Sequence, residues 1–210
     1  MQRFIGRTST LLASLALLLA VAVPAVADNG DATPPREIAK ETVQTLMEGM
    51  EGRRDELRND PQQLYELVDE VLVPLVDMDT MSQLVLGRHW RDADENQRQR
   101  FQKAFKVMLV RTYGNALLDF DKDQIEYKPI REPDDADDIT FRATVTTDSG
   151  DKVPVNLKMH LVDNEWKVYD GRVGNMSFVT NYRSQFNNYI RKNGLEDFLD
   201  RMEARYDVNG

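Results

Sequence analysis

The sequence predicts an α+β fold, with helices packed on one face of an antiparallel four-stranded sheet, and three observations predict it. Apolar residues recur at helical spacing up to about residue 120, at strand spacing from 125 to 173, and at helical spacing again thereafter. Helices and strands are therefore segregated along the chain rather than alternating. Turn sequences of hairpin length, Asp148-Ser149-Gly150 and Asp163-Asn164, separate the strand segments, which implies an antiparallel meander. A third signal is the change of period around residues 166–190. Trp166 and Val168 alternate with Lys167 and Tyr169, then Phe178, Tyr182, Phe186, Tyr189 and Ile190 share one helical stripe. A concave, partly aromatic space between sheet and helix is the first place to look for a site.

Residues 1–27 read as an export signal. Arg3 and Arg7 form a basic start, residues 11–23 an apolar run, and Ala25-Val26-Ala27 a small-residue cleavage site. The apolar run is shorter than the roughly 20 residues that span a bilayer. Cleavage leaves one domain, residues 28–210. Because the removed segment holds two arginines and no acid, the formal charge moves from −9 to −11. That acidic balance argues against nucleic acid and against unaided adhesion to anionic lipid surfaces. There is no cysteine, so the fold needs no disulfide. A chain of this length buries roughly 70% of its unfolded surface, enough for a core and an internal cavity together.

The first helix carries Ala39, Val43, Leu46, Met47, Met50 and Leu57, weakened by Gly49 and Gly52. Asp60-Pro61-Gln62-Gln63 starts the next, with an N-cap acid, proline at the first helical position and Gln63 placed for a capping box. Its stripe of Leu64, Leu67, Val68, Val71 and Leu72 ends at Pro74. A shorter helix holds Met78, Met81, Leu84 and Val85 on one face, with Gly87 as its C-terminal cap. Asp94 with Gln97 opens the longest helix, on which Phe101, Phe105, Met108, Leu109, Thr112, Ala116 and Phe120 keep register for about five turns. Residues 107–110 are apolar at every position, which predicts burial on more than one side.

Ile125, Tyr127 and Ile130 mark a first strand, with Pro129 at an edge or bulge. Ile139, Phe141, Ala143 and Val145 alternate with Thr140, Arg142, Thr144 and Thr146 in the second, and Val153, Val155, Leu157, Met159 and Leu161 form the apolar face of the third. The fourth runs from Trp166. Ser177 caps the helix after it, and Leu195, Phe198, Leu199, Met202 and Tyr206 give a last helix beyond Gly194.

Catalytic chemistry has few candidates. His89 and His160, the only histidines, have no partner at metal-ligand spacing and read as surface or structural residues. Asp134, Asp135, Asp137 and Asp138 lack the glycine and terminal glutamate of a calcium loop and read as a solvated turn. Tyr169 with Asp170 at a strand end is the strongest enzyme-like feature, although adjacent strand residues point to opposite faces. Arg88, Arg91, Arg98 and Arg100 read as solvated charges, with a docking surface for an acidic partner as the sharper alternative.

Four stretches carry a resemblance: WKVYD at 166–170, NYRSQF at 181–186, VLVPLVDMDTMSQLVLGRHW at 71–90 and RQRFQKAFKVMLVRTYGNAL at 98–117. In order and spacing they resemble the MlaC family of periplasmic phospholipid carriers. Asn175-Met176-Ser177 departs from a Gly-Val-Ser type of turn, and asparagine tolerates the left-handed backbone that would keep it. The resemblance implies a sheet of the nuclear-transport-factor-2 (NTF2-like) class with added helices, an internal apolar cavity, and no enzymatic chemistry. It implies phospholipid as cargo rather than a cofactor, shuttled between outer and inner membranes to maintain outer-membrane lipid asymmetry. The partners it implies are an inner-membrane ABC transporter complex with a substrate-binding hexamer and an outer-membrane lipoprotein-porin complex.

Two acyl chains carry on the order of 30 methylenes at about 0.8 kcal/mol each, so a soluble carrier must enclose them. The lining expected here is Met81, Leu84 and Val85; Met108, Thr112 and Leu117; Phe141, Val145, Val155 and Leu157; and Trp166, Val168, Phe178, Tyr182 and Phe186. Two alternatives differ in kind. A small-molecule enzyme of NTF2-like fold using Asp/Tyr acid-base chemistry needs a pocket with converging polar groups, and a non-lipid periplasmic adaptor needs a filled core and an exposed apolar patch.

Overall fold

Proline and glycine divide the helical half of the chain. In the computed structural model, which describes residues 32–119, 124–131, 136–147 and 149–206, Pro35 opens α1 (Pro35–Met50), where its missing N–H is no loss. The expected export signal at 1–27, the helical position Phe120, and Asp134, Asp135 and Asp148 lie outside the described residues. A turn at 51–53 splits the first expected helix, so Leu57 belongs to α2 (Arg54–Asn59). Pro61 opens α3 (Pro61–Val71), but the expected capping box does not form there: the Asp60 carboxylate accepts instead from the Gln63 side-chain amide at 2.8 Å. A 3-10 turn, Val73–Leu75, holds Pro74.

Asp77 caps α4 (Met78–Leu86) by accepting from the Thr80 N–H at 2.8 Å. Gly87 ends α4, and a single extra turn, α5 (Arg88–Asp92), follows it. The longest helix, α6 (Glu95–Leu117), opens on a complete capping box between Asp94 and Gln97.

Among the described residues the sheet has five strands in chain order, all antiparallel: β1 (Ile125–Tyr127), β2 (Asp138–Thr146), β3 (Lys152–Val162), β4 (Glu165–Val173) and β5 (Met176–Ser177). The short fifth strand adds to the four expected, and Pro129 and Ile130 fall beyond β1. Asp163 (φ 49°) and Asn164 (φ 65°) make the two-residue left-handed turn whose twist suits a hairpin. Between β4 and β5 the left-handed residue is Gly174 (φ 59°), not Asn175, so the departure at Asn175 leaves the turn intact.

One irregularity sets the faces of β4. Met159 pairs with Val168 but Lys158 pairs with Asp170, so Tyr169 is the extra residue of a β-bulge. Beyond the bulge Gly171, rather than Asp170, shares the face of Val168. Ser177 then caps α7 (Phe178–Asn193), accepting from the Thr180 N–H at 3.1 Å, and α8 (Leu195–Tyr206) follows Gly194.

Three apolar clusters hold these elements. Helices α4, α6, α7 and α8 meet around Phe101, Phe105, Phe186 and Phe198, with Phe101 and Phe105 stacked at 5.3 Å. Leu46, Met50, Leu57 and Leu64 join α1, α2 and α3 to Leu118 at the end of α6. Ile139, Phe141, Met159 and Trp166 cover one sheet face beneath Ile38 and Ala39 of α1. Helices lie on that face, as the segregated pattern predicts, and a space remains between the clusters.

Candidate functional site

That space is an apolar cavity of about 430 Å³. Its floor is the sheet: Phe141, Ala143 and Val145 of β2 and Val155, Leu157 and Met159 of β3 follow the period of two that puts alternate residues on one face. Val168 and Gly171 of β4 continue the floor across the bulge. A Cβ at Gly171 would stand 2.9 Å from the ring of Phe178, so only glycine lets that ring lie over the strand. The roof is the stripe Lys106, Leu109, Val110, Tyr113, Gly114 and Leu117 of α6, at offsets of three and four. Ile38, Ala39 and Val43 of α1, Val68 of α3 with Leu72 just beyond its end, and Leu75 and Val76 before α4 complete the walls.

Two hydroxyls on the wall, those of Tyr113 and Thr42, are hydrogen-bonded. Tyr113 and Tyr182 share a hydroxyl hydrogen bond at 2.9 Å, and burial, with the Tyr113 hydroxyl adding, holds the Tyr182 phenol above its usual range. The Thr42 hydroxyl donates to the Ile38 carbonyl at 2.7 Å. Burial likewise raises Tyr127, partly opposed by the charge of Arg36. Among the described residues Lys106 is the one charged residue of the lining, with its Nζ 2.8 Å from the Asp69 carboxylate. Such a wall suits hydrocarbon chains, which need burial and no hydrogen bond.

Of the residues expected to line a cavity, Met81, Leu117, Phe141, Val145, Val155, Leu157, Val168 and Phe178 do so. Seven sit elsewhere. Val85, Met108, Tyr182 and Phe186 are buried in the aromatic helical core, and Leu84 packs half-buried against it. Thr112 is exposed, and Trp166 is buried beside Ile139 and Met159 in the sheet cluster. The physical reason is rotation about helix axes. Phe101, Phe105 and Met108 mark one face of α6 and the cavity stripe another, while α7 turns Tyr182 and Phe186 edge-on to Phe105 at 5.6 and 6.0 Å. No sequence signal places α1 and α3 on the wall, because an apolar stripe shows burial but not its neighbour.

The enzyme-like pair Tyr169 and Asp170 lies away from the cavity. The Tyr169 hydroxyl donates to Asp138 at 2.9 Å and its ring lies 4.9 Å from His160, both residues of the opposite sheet face. Burial pushes its phenol up to about 12, with the Asp138 hydrogen bond and charge adding. The Asp170 carboxylate accepts from the Ser177 hydroxyl and the Val179 N–H, which fixes the start of α7.

His160 lies 2.8 Å from Asp77, and His89 is 3.0 Å from the Asn187 amide oxygen. Two of the four arginines are internal ties: Arg100 joins Glu196, Asp200 and Glu203, and Arg98 lies over the Trp90 ring. Arg88 and Arg91 are exposed. Among the described residues, no group of three or more His, Cys, Asp or Glu side chains could hold a metal ion, and no helix is long and apolar enough to cross a membrane.

The same fold occurs in a solved structure, that of a phospholipid-binding protein from Ralstonia solanacearum in complex with a phospholipid. The TM-score is 0.74 at 31% identity, covering 83% of this chain and 99% of that one. The toluene tolerance protein ttg2D of Pseudomonas putida is 29% identical over 78% of this chain and 76% of its own length. The intermembrane phospholipid transport system binding protein MlaC of Haemophilus influenzae is 22% identical over 81% of each chain. The family model described as MlaC protein matches residues 40–204, a span from within α1 to within α8. This chain belongs to the MlaC family.

Proposed function

We propose that this chain is a periplasmic phospholipid carrier, which encloses acyl tails in the cavity and ferries lipid between the outer and inner membranes. The observation that carries the reading is the cavity itself, apolar on sheet and helix walls alike, in a fold shared with a phospholipid-bound relative. Lipid contacts then fall on the eight lining residues named above and on the walls from α1 and α3. Residues 1–27 direct export and are removed, leaving 28–210 as one lipid-binding domain. The cargo exchanges with an inner-membrane ABC transporter complex bearing a substrate-binding hexamer and with an outer-membrane lipoprotein-porin complex. The chain has no phosphate-binding loop, so the energy comes from that transporter.

Organic extraction and mass spectrometry of protein exported from its own N-terminal segment and purified without detergent test this reading. Near-stoichiometric phospholipid is expected on a chain beginning near Asp28. Repeated preparations without lipid would overturn it in favour of an enzyme or adaptor.

A further inference from the structure

Lys106 and Asp69 stand in an order that matches one class of lipid headgroup. Among the described residues lining the cavity Lys106 is the one that is charged, and its stem follows the wall while its ammonium meets Asp69 of α3 at 2.8 Å. Asp69 does not line the cavity and is 49% exposed, against 32% for Lys106. Going outward from the cavity, the sequence of charge is therefore positive, then negative.

A phospholipid with its tails in the cavity presents charge in the opposite order. Its phosphate lies next to the glycerol, and the head group lies beyond. We infer that Lys106 and Asp69 form a headgroup site for zwitterionic aminophospholipids, with the phosphate on Lys106 and the terminal ammonium on Asp69. This rests on the carrier reading above.

The pair need not break to bind. A lysine ammonium has three donors and only one is used on Asp69, and the carboxylate keeps acceptor positions for an ammonium N–H. The headgroup lies alongside as an antiparallel dipole, so each charge gains an opposite neighbour. An anionic headgroup lacking the amine meets Lys106 but also the repulsion of Asp69, in a chain that is acidic overall. Both side chains are partly exposed and screened, so the selectivity is modest, about two- to five-fold.

The test loads the mature chain from vesicles of equal phosphatidylethanolamine and phosphatidylglycerol, then quantifies bound headgroups by mass spectrometry. The wild type is expected to enrich the amine lipid about two- to five-fold over the donor ratio. Asp69→Asn should return the ratio to that of the vesicles, and Lys106→Gln should lower the total lipid carried. The double variant Asp69→Lys with Lys106→Asp keeps an ion pair between α3 and α6 but reverses its order. It should lose the preference while thermal unfolding stays near wild type.

A pair that only ties two helices predicts the same headgroup ratio in all four proteins. That result, or a wild-type ratio equal to the donor's, overturns the headgroup site and leaves the carrier intact. A wild type that takes up neither lipid removes the carrier reading and this one with it.

Discussion

Val145 pairs with Ile125 and Val153 on the neighbouring strands and turns its side chain into the cavity. Replacing it by tryptophan puts a ring where a tail would lie, and open space limits the overpacking cost to the low end of about 1–3 kcal/mol. Val145→Trp is therefore expected to lose lipid and keep its fold. Phe105, fully buried between α6 and α7, behaves oppositely: Phe105→Ala costs about 3–5 kcal/mol and leaves the cavity walls in place. Measuring lipid content and melting temperature on both variants checks the distinction. A Val145→Trp protein that unfolds easily yet carries wild-type lipid would place the tails elsewhere. Ser82 offers a change in the other direction. Its hydroxyl is fully buried in α4 and finds no hydrogen-bond partner among the described residues, an arrangement that costs about 1–3 kcal/mol. Ser82→Ala should raise the melting temperature by at least about 2–4 °C, and a fall would show that the hydroxyl is satisfied in solution.

The link from Val73 to Asp77 joins α3 to α4, and polar contacts fasten it to the sheet. Val76 bridges Val168, the Asp77 N–H donates to the Val168 carbonyl at 2.9 Å, and the Lys167 ammonium donates to the Pro74 carbonyl at 3.0 Å. Asp77 is the pivot. Burial pushes its carboxyl up, but the hydroxyl and N–H of Thr80 together with His160 outweigh that and hold it below the ordinary range. A depressed folded pKa stabilises above the unfolded value of about 3.9, and the contribution is lost as pH falls through the folded value. Asp77→Asn should lose this charge-dependent contribution at pH 7, and its gap to wild type should close below about pH 4. Thermal unfolding from pH 3 to 7 checks this; a gap that stays constant would assign the effect to packing. At this scale the sequence was readable where one residue decides an outcome, as at Asp94, Gly87, Ser177 and the Asp163-Asn164 turn. It was not readable at Asp60, where Gln63 binds the cap side chain instead of the cap backbone, nor at Tyr169, where the bulge depends on the partner strand.

For the whole molecule, segregation of the two periods sufficed for the layers, because a helix stripe and a strand face each need an apolar partner. Residues 107–110, apolar at every position, foretold that α6 is buried on two sides, and it is: core on one, cavity on the other. Which side is which depends on α1 and α3, and no stripe encodes its own neighbour. Tyr182 and Phe186, whose stripe predicts a cavity wall, therefore sit in the core, while Ile38 and Val68 line the cavity with no sequence signal to mark them. Three packed clusters around a space of about 430 Å³ also fix how the molecule responds to compression. Hydrostatic pressure favours whichever state occupies less total volume, and unfolding removes internal voids, with volume changes on the order of −20 to −100 mL/mol. Protein stripped of lipid should unfold at markedly lower pressure than loaded protein, by more than their difference in melting temperature suggests. Equal midpoint pressures, followed by tryptophan fluorescence, would mean that the walls fall together once the cargo leaves, so that release itself closes the carrier.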